Sequence, residues 1–112
     1  MKRGAALHFG LLLGLGLWLL GTADAEDGIR ILIKDHRFSP SEVRVKANTK
    51  VKLLVSNEDE TAEEFESFSL NRERVVRGGQ SITIFLPPLK PGSYDFFGDF
   101  HPDTAQGKVI AE

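Results

Sequence analysis

The sequence of 112 residues contains no cysteine. This absence excludes disulfide bonds, thiolate metal ligands, a cysteine nucleophile and a precursor that is lipid-modified on cysteine. Methionine and tryptophan occur once each, at Met1 and Trp18, so the chain after residue 25 has neither of them. Without disulfides, the stability of the fold must come from packing, with or without help from a bound metal.

Sequence motifs of the common enzyme classes are also missing. There is no G-x-S-x-G, no H-E-x-x-H and no glycine-rich phosphate loop ahead of a helix, so hydrolase and nucleotide-binding functions have no support. The charge is nearly balanced, with 14 basic and 16 acidic residues. A weakly acidic chain of this kind is not typical of nucleic-acid binding. The sequence therefore predicts a binding domain rather than a stand-alone enzyme.

The first residues have the three parts of an export signal. Lys2 and Arg3 supply a positive end, residues 11–20 form an apolar centre, and Ala-Asp-Ala at residues 23–25 is a small-residue cleavage site. These features predict a signal peptide over residues 1–25. Its removal would leave Glu26 as the first residue of the mature protein.

An uncleaved membrane anchor is the alternative for this segment. Residues 4–23 form a run without Asp, Glu, Lys or Arg, and the length of this run is about what a bilayer demands. His8, the glycines within the apolar run and the A-x-A ending favour cleavage. We therefore expect one mature domain over residues 26–112, located in the periplasm.

The mature chain shows the two-residue periodicity of β-strands. Alternation of apolar and polar side chains is clear in IRILIK (29–34), FESFSL (65–70) and SITIFL (81–86), and residues 43–57 read as two strands around a turn. SYDFFG and GKVIA complete a set of about seven strands. A short helix is possible only in NEDETAEEF, residues 57–65. Short strands separated by turns about every ten residues predict an all-β, single-domain sandwich.

The topology is indicated by one further motif. LKPGSY, residues 89–94, has the leucine, the Pro-Gly turn and the tyrosine of a tyrosine corner, in which the tyrosine hydroxyl bonds to nearby backbone. Such corners occur in Greek-key sandwiches. We therefore expect Tyr94 to lie at a sheet corner of a Greek-key fold.

The C-terminal segment resembles the copper-binding loop of the cupredoxins. GSYDFFGDFH (92–101) followed by GKV (107–109) is similar to their pattern G-x-Y-x-F-[FY]-C-x-x-H, methionine, G-x-V. RFSP (37–40) and VSN (55–57) stand where cupredoxins have F-x-P and the asparagine before the first histidine ligand. The resemblance covers almost all of the mature chain and implies a Greek-key β-sandwich or barrel of cupredoxin type.

Three segments are most similar to one sub-group of this family. EEFES (63–67), RERVVRGG (72–79) and GDFHPDTAQG (98–107) resemble the periplasmic cupredoxin-domain proteins of ferrous-iron uptake systems, of the EfeO and FtrB type. This resemblance implies assistance in oxidising Fe(II) and delivering iron to an inner-membrane permease. It also implies a second periplasmic iron-binding protein as a partner, with membrane contact only through partners.

The metal ligands of a blue copper site are mostly missing. Such a site needs two imidazoles, a thiolate and a weak axial thioether. When the ligand positions of the cupredoxin pattern are transferred to this sequence, the thiolate falls on Gly98 and the thioether on Ala105 or Gln106. The first imidazole falls on Glu63 or Glu64. Only the second imidazole remains, as His101. The protein is therefore not expected to be a blue electron carrier.

Oxygen ligands are abundant around the same corner. Glu64 and Glu66 are two residues apart on a predicted strand, so their carboxylates lie on one side of the sheet. The resemblance brings Asp99 and His101 to the same end, and we predict a metal site formed by Glu64, Glu66, Asp99 and His101. One imidazole with several carboxylates suits Cu(II), Fe(II), Fe(III) or Mn(II) better than Cu(I). Copper, iron or both are the expected cofactors.

The sequence leaves the roles of several acidic and histidine side chains near this end undecided. The acids of NEDETAEEFE could form only a solvated loop, and His101 could merely be hydrogen-bonded to a carboxylate. His36 is more readily an exposed turn residue than a ligand, and Glu73 more readily a partner in salt bridges with its arginine neighbours. Whether Glu63 or Asp103 joins the site is not decided by the sequence.

Two other functional classes remain compatible with these residues. A periplasmic copper chaperone would usually bind copper through methionine and histidine, and the absence of methionine from the mature chain counts against it. A metal-free interaction domain that has kept only the sandwich is the other alternative. Uptake of Cu(II) or iron would separate the metal-binding functions from this last one.

Overall fold

The structure is a computed structural model, and it describes residues 28–112. The predicted signal peptide and its cleavage site lie outside the described residues. Within residues 28–112 no helix has the length and apolar character that a membrane span requires.

The described chain folds into nine β-strands and contains no helix, which confirms the all-β prediction. The strands are β1 Ile29–Lys34, β2 Arg37–Ser39, β3 Glu42–Val45, β4 Val51–Asn57, β5 Glu63–Ser67, β6 Arg72–Val76, β7 Ser81–Leu86, β8 Gly92–Gly98 and β9 Gln106–Ala111. They form a four-stranded sheet in the order β2-β1-β4-β7 and a five-stranded sheet in the order β3-β9-β8-β5-β6. Two sheets packed face to face make the predicted sandwich.

Some strand boundaries differ from the sequence prediction. The strands β2 and β6 were not predicted, and the strand expected over residues 65–70 covers Glu63–Ser67 instead. It ends there because the Ser67 hydroxyl accepts a hydrogen bond from the Leu70 amide, at 3.1 Å, and donates one to the Asp95 carbonyl, at 2.6 Å. These two bonds close a turn where alternation of side chains predicted more strand.

Two parallel strand pairs give the sandwich its Greek-key order. The first strand, β1, lies parallel to β4, with Ile29 opposite Leu53. On the other sheet β3 lies parallel to the last strand, β9, with Val43 opposite Val109. Parallel neighbours cannot be joined by a tight hairpin, so the chain must cross between sheets to form them.

The core lies between the sheets and is centred on three phenylalanines. Phe65 and Phe96 stack with ring centroids 4.9 Å apart, and Phe38 meets Phe96 edge-on at 5.0 Å. All three side chains are buried among aliphatic residues from both sheets. Aromatic pairs in these orientations add to the stabilisation that burial provides. They join the two sheets, since Phe38 belongs to the four-stranded sheet and Phe65 and Phe96 to the five-stranded one.

The tyrosine corner is confirmed. The Tyr94 hydroxyl donates a hydrogen bond of 2.7 Å to the carbonyl of Lys90, four residues earlier in the chain. The ring packs against the edge of the core. Tyr94 therefore joins the connection before β8 to the body of the sandwich.

Three loops meet at one end of the sandwich, which we call the polar end. They are the turn at residues 35–36, the loop 58–62 and the loop 99–105. The Asp59 carboxylate accepts hydrogen bonds from both amides of the 35–36 turn. The Glu63 carboxylate accepts one from the amide of Phe100 in the third loop. Side chains of buried or half-buried acids therefore hold this end together.

Asn57, the last residue of β4, organises the loop 58–62, in which no helix forms. Its side-chain amide donates to the carbonyls of Thr61, at 2.9 Å, and Val76, at 3.0 Å, while its side-chain oxygen accepts from the Asp59 amide at 2.9 Å. The side chain is buried. Because all three bonds go to backbone groups, Asn57 sets the path of the loop that places Asp59.

Candidate metal centre

Glu63 is the first residue of β5, and its side chain points inward between the sheets. It is buried. Its Oε1 accepts hydrogen bonds from the amides of Glu64, at 2.9 Å, and Phe100, at 2.8 Å, while its Oε2 lies 2.7 Å from Nδ1 of His101. A buried carboxylate is costly unless its oxygens are paired. Here both oxygens are paired, two bonds coming from the backbone and one from an imidazole.

Gly98 faces this carboxylate at the end of β8. A Cβ atom at this position would lie 2.5 Å from Cδ of Glu63 and 2.6 Å from Cβ of Ala105. Both contacts are far inside van der Waals distance. Glycine is therefore required at residue 98 by lack of space, for as long as Glu63 occupies its present place.

These contacts test whether a blue copper site fits the residues. The resemblance assigns the thiolate to Gly98, where no Cβ can be accommodated, and Ala105 is buried and apolar. Glu63, one of the two residues considered for the first imidazole, is an internally bonded acid. A copper ion bound as in blue copper proteins needs a thiolate and two imidazoles. The donor set at this position does not fit one.

Three of the four predicted ligands come together on the opposite face of β5. Glu64 and Glu66 point outward from the five-stranded sheet, as their spacing predicts, and Asp99 follows the neighbouring strand β8. One ligand oxygen from each residue lies within 4.8 Å of the others. The Asp99 amide donates a 2.8 Å hydrogen bond to the Glu64 carbonyl, which fixes the approach of the loop. We call Glu64, Glu66 and Asp99 the carboxylate triad.

A fourth acid, Glu73, lies beside the triad. It is directly opposite Glu66 in the pairing of β5 with β6. Loss of hydration and then repulsion from Glu73 raise the pKa of Glu64 to about 7, with hydrogen bonds to Glu73 and Asp99 adding to the effect. Loss of hydration, followed by repulsion from Glu73 and Asp99, also raises the pKa of Glu66. The triad is thus a place where negative charge is crowded.

The predicted salt bridges of Glu73 are not formed, and this prediction is wrong. Arg72 donates to the Phe85 carbonyl at 2.8 Å, and Arg74 donates to the Thr83 carbonyl at 3.3 Å. Both arginines alternate with Glu73 along β6 and therefore point to the other face of the strand. Among residues 28–112, no salt bridge reaches Glu73 or the carboxylate triad. A bound cation would supply the missing positive charge.

His101, the fourth predicted ligand, is placed away from the triad. It is hydrogen-bonded to Glu63 instead. A histidine bonded to a carboxylate was the alternative that the sequence left open for His101. Its ring also stacks on that of His36, with centroids 3.6 Å apart. Asp103 is exposed in the loop 99–105 and is not part of the triad. The only signal for His36 in the sequence was that the cupredoxin fold would bring it near the polar end.

Comparison with known proteins finds one family model that matches most of this chain. Residues 9–111 match the family model of the cupredoxin-like domain. An uncharacterized protein of Rickettsia prowazekii is 55% identical over 82 residues, which are 73% of this chain and 66% of that protein. This chain therefore spans slightly less than two thirds of the relative.

Solved structures agree with that match at the level of the fold. Amicyanin from Paracoccus versutus has a TM-score of 0.61 at 24% identity, over 77% of this chain and 82% of amicyanin. Auracyanin A, a "blue" copper protein from Chloroflexus aurantiacus, has a TM-score of 0.64 at 13% identity, over 75% of this chain and 97% of auracyanin. At these identities the likeness establishes the sandwich and its topology.

Proposed function

Because this chain belongs to the cupredoxin-like domain family, we propose that it is an exported metal-binding domain that holds its metal through the carboxylate triad. The observation that supports this proposal is the approach of oxygens from Glu64, Glu66 and Asp99 to within 4.8 Å of one another. Loss of hydration, followed by repulsion from the neighbouring Glu73, raises the pKa of Glu64 to about 7. A cation would relieve that repulsion. The site lies on the outer face of the sheet and not at the buried position of Glu63.

The chemistry of the donors selects the kind of metal. With His101 turned to Glu63, the triad offers only carboxylate oxygens, which suit hard cations such as Mn(II) and the oxidised form of iron. Cu(II) stands highest among the divalent ions in affinity for most sites and would also bind in the test tube. Iron is the proposed physiological metal, and Cu(II) the proposed alternative cofactor.

Resemblance to proteins of ferrous-iron uptake supports a role in iron delivery. In this role Fe(II) binds at the triad and loses one electron, because carboxylate oxygens favour the Fe(III) state. The electron passes to an acceptor on a partner protein, and Fe(III) continues to an inner-membrane permease. A second periplasmic iron-binding protein is the proposed partner. The domain therefore assists oxidation and transfer in the periplasm and does not catalyse a reaction alone.

Calorimetric titration with Mn(II), Cu(II) and, without oxygen, Fe(II) tests the proposal. Glu64→Gln combined with Glu66→Gln should weaken Mn(II) and Fe(II) binding at least tenfold. A matched control is Glu58→Gln with Glu60→Gln, which removes the same charge from two exposed acids outside the triad. Equal affinities for both double variants would refute the triad. Absence of any uptake by the wild-type protein would indicate a metal-free interaction domain.

The oxidation step has its own measurement. After Fe(II) is bound, the oxidation state of iron is followed on adding Cu(II) or oxygen as the electron acceptor. Faster formation of Fe(III) with the wild-type protein than with the double variant Glu64→Gln/Glu66→Gln is the expected result. Equal rates would leave binding and delivery as the function and remove the redox role.

A further inference from the structure

The outer face of the four-stranded sheet carries charge of one sign. Buried side chains of β1, β2, β4 and β7 point into the core, so their neighbours along each strand point outwards. The charged side chains among these outward ones are all cations, and they are Arg30, Lys34, Arg37 and Lys52. No acid lies on this face of the four strands. We call this surface the basic face.

The outer face of the five-stranded sheet has the opposite charge. Its strands point two cations outwards, Arg44 and Lys108. Its outward acids are Glu42, Glu64, Glu66, Glu73 and Asp95. The nearly balanced composition of the chain therefore hides a separation of charge between the two faces of the sandwich.

The cations of the basic face have no internal counter-ion. Lys34 and Arg37 are directly opposite each other on β1 and β2. Like charges in such a pair destabilise a sheet. Within residues 28–112 no salt bridge involves any of the four cations. Arg72 and Arg74 border the face as well, where they bond to the carbonyls of β7. An anionic surface would supply the missing negative charge.

Apolar side chains lie between these cations. Leu54 is opposite Arg30, and Phe85 is opposite Lys52. Phe85 is 65% exposed. An exposed aromatic ring among cations suits the interface of a bilayer, because the ring can contact acyl chains while the cations contact phosphates.

A cavity of about 640 Å³ continues the basic face round the end of the sandwich that is opposite to the polar end. Lys52 and Phe85 belong both to the basic face and to the lining of this cavity. Lys46 and Lys50 add two cations to the lining, no acid is part of it, and residues of β1, β4 and β7 give it apolar walls. Apolar walls beside ammonium groups fit a phospholipid, which joins an apolar chain to an anionic headgroup.

The described chain begins at the basic face. A Cβ atom on Gly28 would lie 3.1 Å from Cγ of Leu54 and 3.1 Å from Cβ of Lys52, which are two outward side chains of β4. Residues 24–27 alone separate Gly28 from the apolar run 4–23. Four residues reach at most about 14 Å. A retained anchor would therefore hold the basic face beside the bilayer, and after cleavage the attraction of charges would have to act alone.

We propose that the basic face and the adjoining cavity dock the domain on the surface of a bilayer that contains anionic phospholipid. The same bilayer repels the acidic face, so the domain binds in one orientation, with the carboxylate triad turned away from the membrane. This contact is direct and adds to any contact made through partner proteins. It does not depend on the triad being a metal site.

Co-sedimentation with vesicles tests the docking. The exported protein is used in the form that cells produce, so that any retained N-terminal segment contributes equally to every variant. Vesicles of phosphatidylcholine with about one third phosphatidylglycerol should bind the wild type, and raising the salt to about 0.5 M should release it to the level found with pure phosphatidylcholine. Equal binding to both kinds of vesicle at low salt would overturn the proposal.

Removal of two cations locates the docking surface. Arg30→Gln combined with Lys52→Gln should lower the affinity for the anionic vesicles about 10- to 30-fold. The matched control, Arg77→Gln combined with Lys108→Gln, removes the same charge away from the basic face. It should bind the vesicles as the wild type does. Equal losses in both double variants would show that only the net charge matters and would overturn the docking surface.

An acidic protein is the competing partner for a basic surface. Polyglutamate in solution represents it in the same assay, as a competitor of the anionic vesicles. Because a soluble polyanion offers nothing to Phe85 or to the apolar cavity walls, it should displace the protein only weakly. Binding of polyglutamate as tight as binding of the vesicles would replace the bilayer with an acidic protein and refute the proposal.

The orientation has its own measurement, which the absence of cysteine makes simple. Thr83→Cys places one thiol on the basic face, and Ser93→Cys places one on the outer face of the five-stranded sheet. Each carries a nitroxide label, and its access to a water-soluble relaxation agent is compared with and without anionic vesicles. Protection at residue 83 and none at residue 93 is expected. Equal protection at both positions would refute an oriented contact.

Discussion

The carboxyl carbon of Glu63 lies 2.5 Å from the point that a Cβ atom at Gly98 would occupy. The two residues therefore form a matched pair, in which the glycine leaves room for the glutamate and the glutamate prevents any larger residue at position 98. The position that a blue copper protein gives to a thiolate is filled here by an internal carboxylate. What remains is a closed, hydrogen-bonded polar cluster with histidines at its surface.

Gly98→Ala should destabilise the protein by about 1 to 3 kcal/mol, because an added methyl group overpacks a site with no free volume. Equilibrium unfolding in urea measures the change. Shortening Glu63 in the same chain should reduce the penalty, so the double variant Glu63→Ala/Gly98→Ala should be less destabilised than the sum of the two single variants. Strict additivity would show that the Glu63 contact does not explain the glycine.

Asn57→Asp should lower the free energy of unfolding by at least about 2 kcal/mol at neutral pH, because one buried and one partly buried carbonyl lose their donor. The carbonyls are those of Thr61 and Val76, which the new carboxylate would face directly. Urea unfolding measures the effect. Asn71→Asp, at an exposed turn, is the matched control and should change stability by less than about 0.5 kcal/mol. Equal losses in both variants would show that Asn57 does not organise the loop.

Glu64→Gln should alter how stability depends on pH in metal-free protein. Loss of hydration and repulsion from Glu73 raise the pKa of Glu64 from 4.5 to about 7, so between these values the folded state binds more protons than the unfolded state. Stability from this group is complete below pH 4.5 and is lost as pH rises through 7. The wild type should therefore lose stability relative to Glu64→Gln across this interval.

Urea midpoints of the wild type and Glu64→Gln at several pH values provide the measurement. Glu58→Gln, which changes an exposed acid outside the triad, serves as the control and should follow the wild type. A constant difference between the wild type and Glu64→Gln over the whole interval would contradict the raised pKa of Glu64.

Tyr94→Phe should reduce stability by about 1 kcal/mol, the usual net value of one hydrogen bond. The change removes the bond from the tyrosine hydroxyl to the Lys90 carbonyl and leaves the ring in place. Thermal and urea unfolding should both report the loss, with the urea slope unchanged. Wild-type stability in this variant would mean that the corner is held by ring packing alone.

Local sequence patterns predicted much of this architecture. Alternation at period two identified most of the strands, and LKPGSY identified the tyrosine corner, because both are properties of neighbouring residues. The same alternation placed Glu64 and Glu66 on one face. It could not place Glu63, because an acid in a strand is usually solvated and only the bonds from Phe100 and His101 make its burial possible.

The missed strand β6 explains the error about Glu73. Arg72 and Arg74 looked like its salt-bridge partners because no strand was predicted there, yet the pleat of β6 turns both arginines to the other face, where they donate to carbonyls of β7.

The residues alone were enough to establish an all-β sandwich without a thiolate, since composition and periodicity do not depend on long-range contacts. The expectation of acids at one end came in addition from the resemblance to cupredoxins. The meeting of His36 with His101, and the closure of Glu63 against Gly98, follow from strand pairings between segments tens of residues apart. Such pairings depend on the packing of the whole core. For this reason the separation of His101 from the other three predicted metal ligands emerged only from the folded chain.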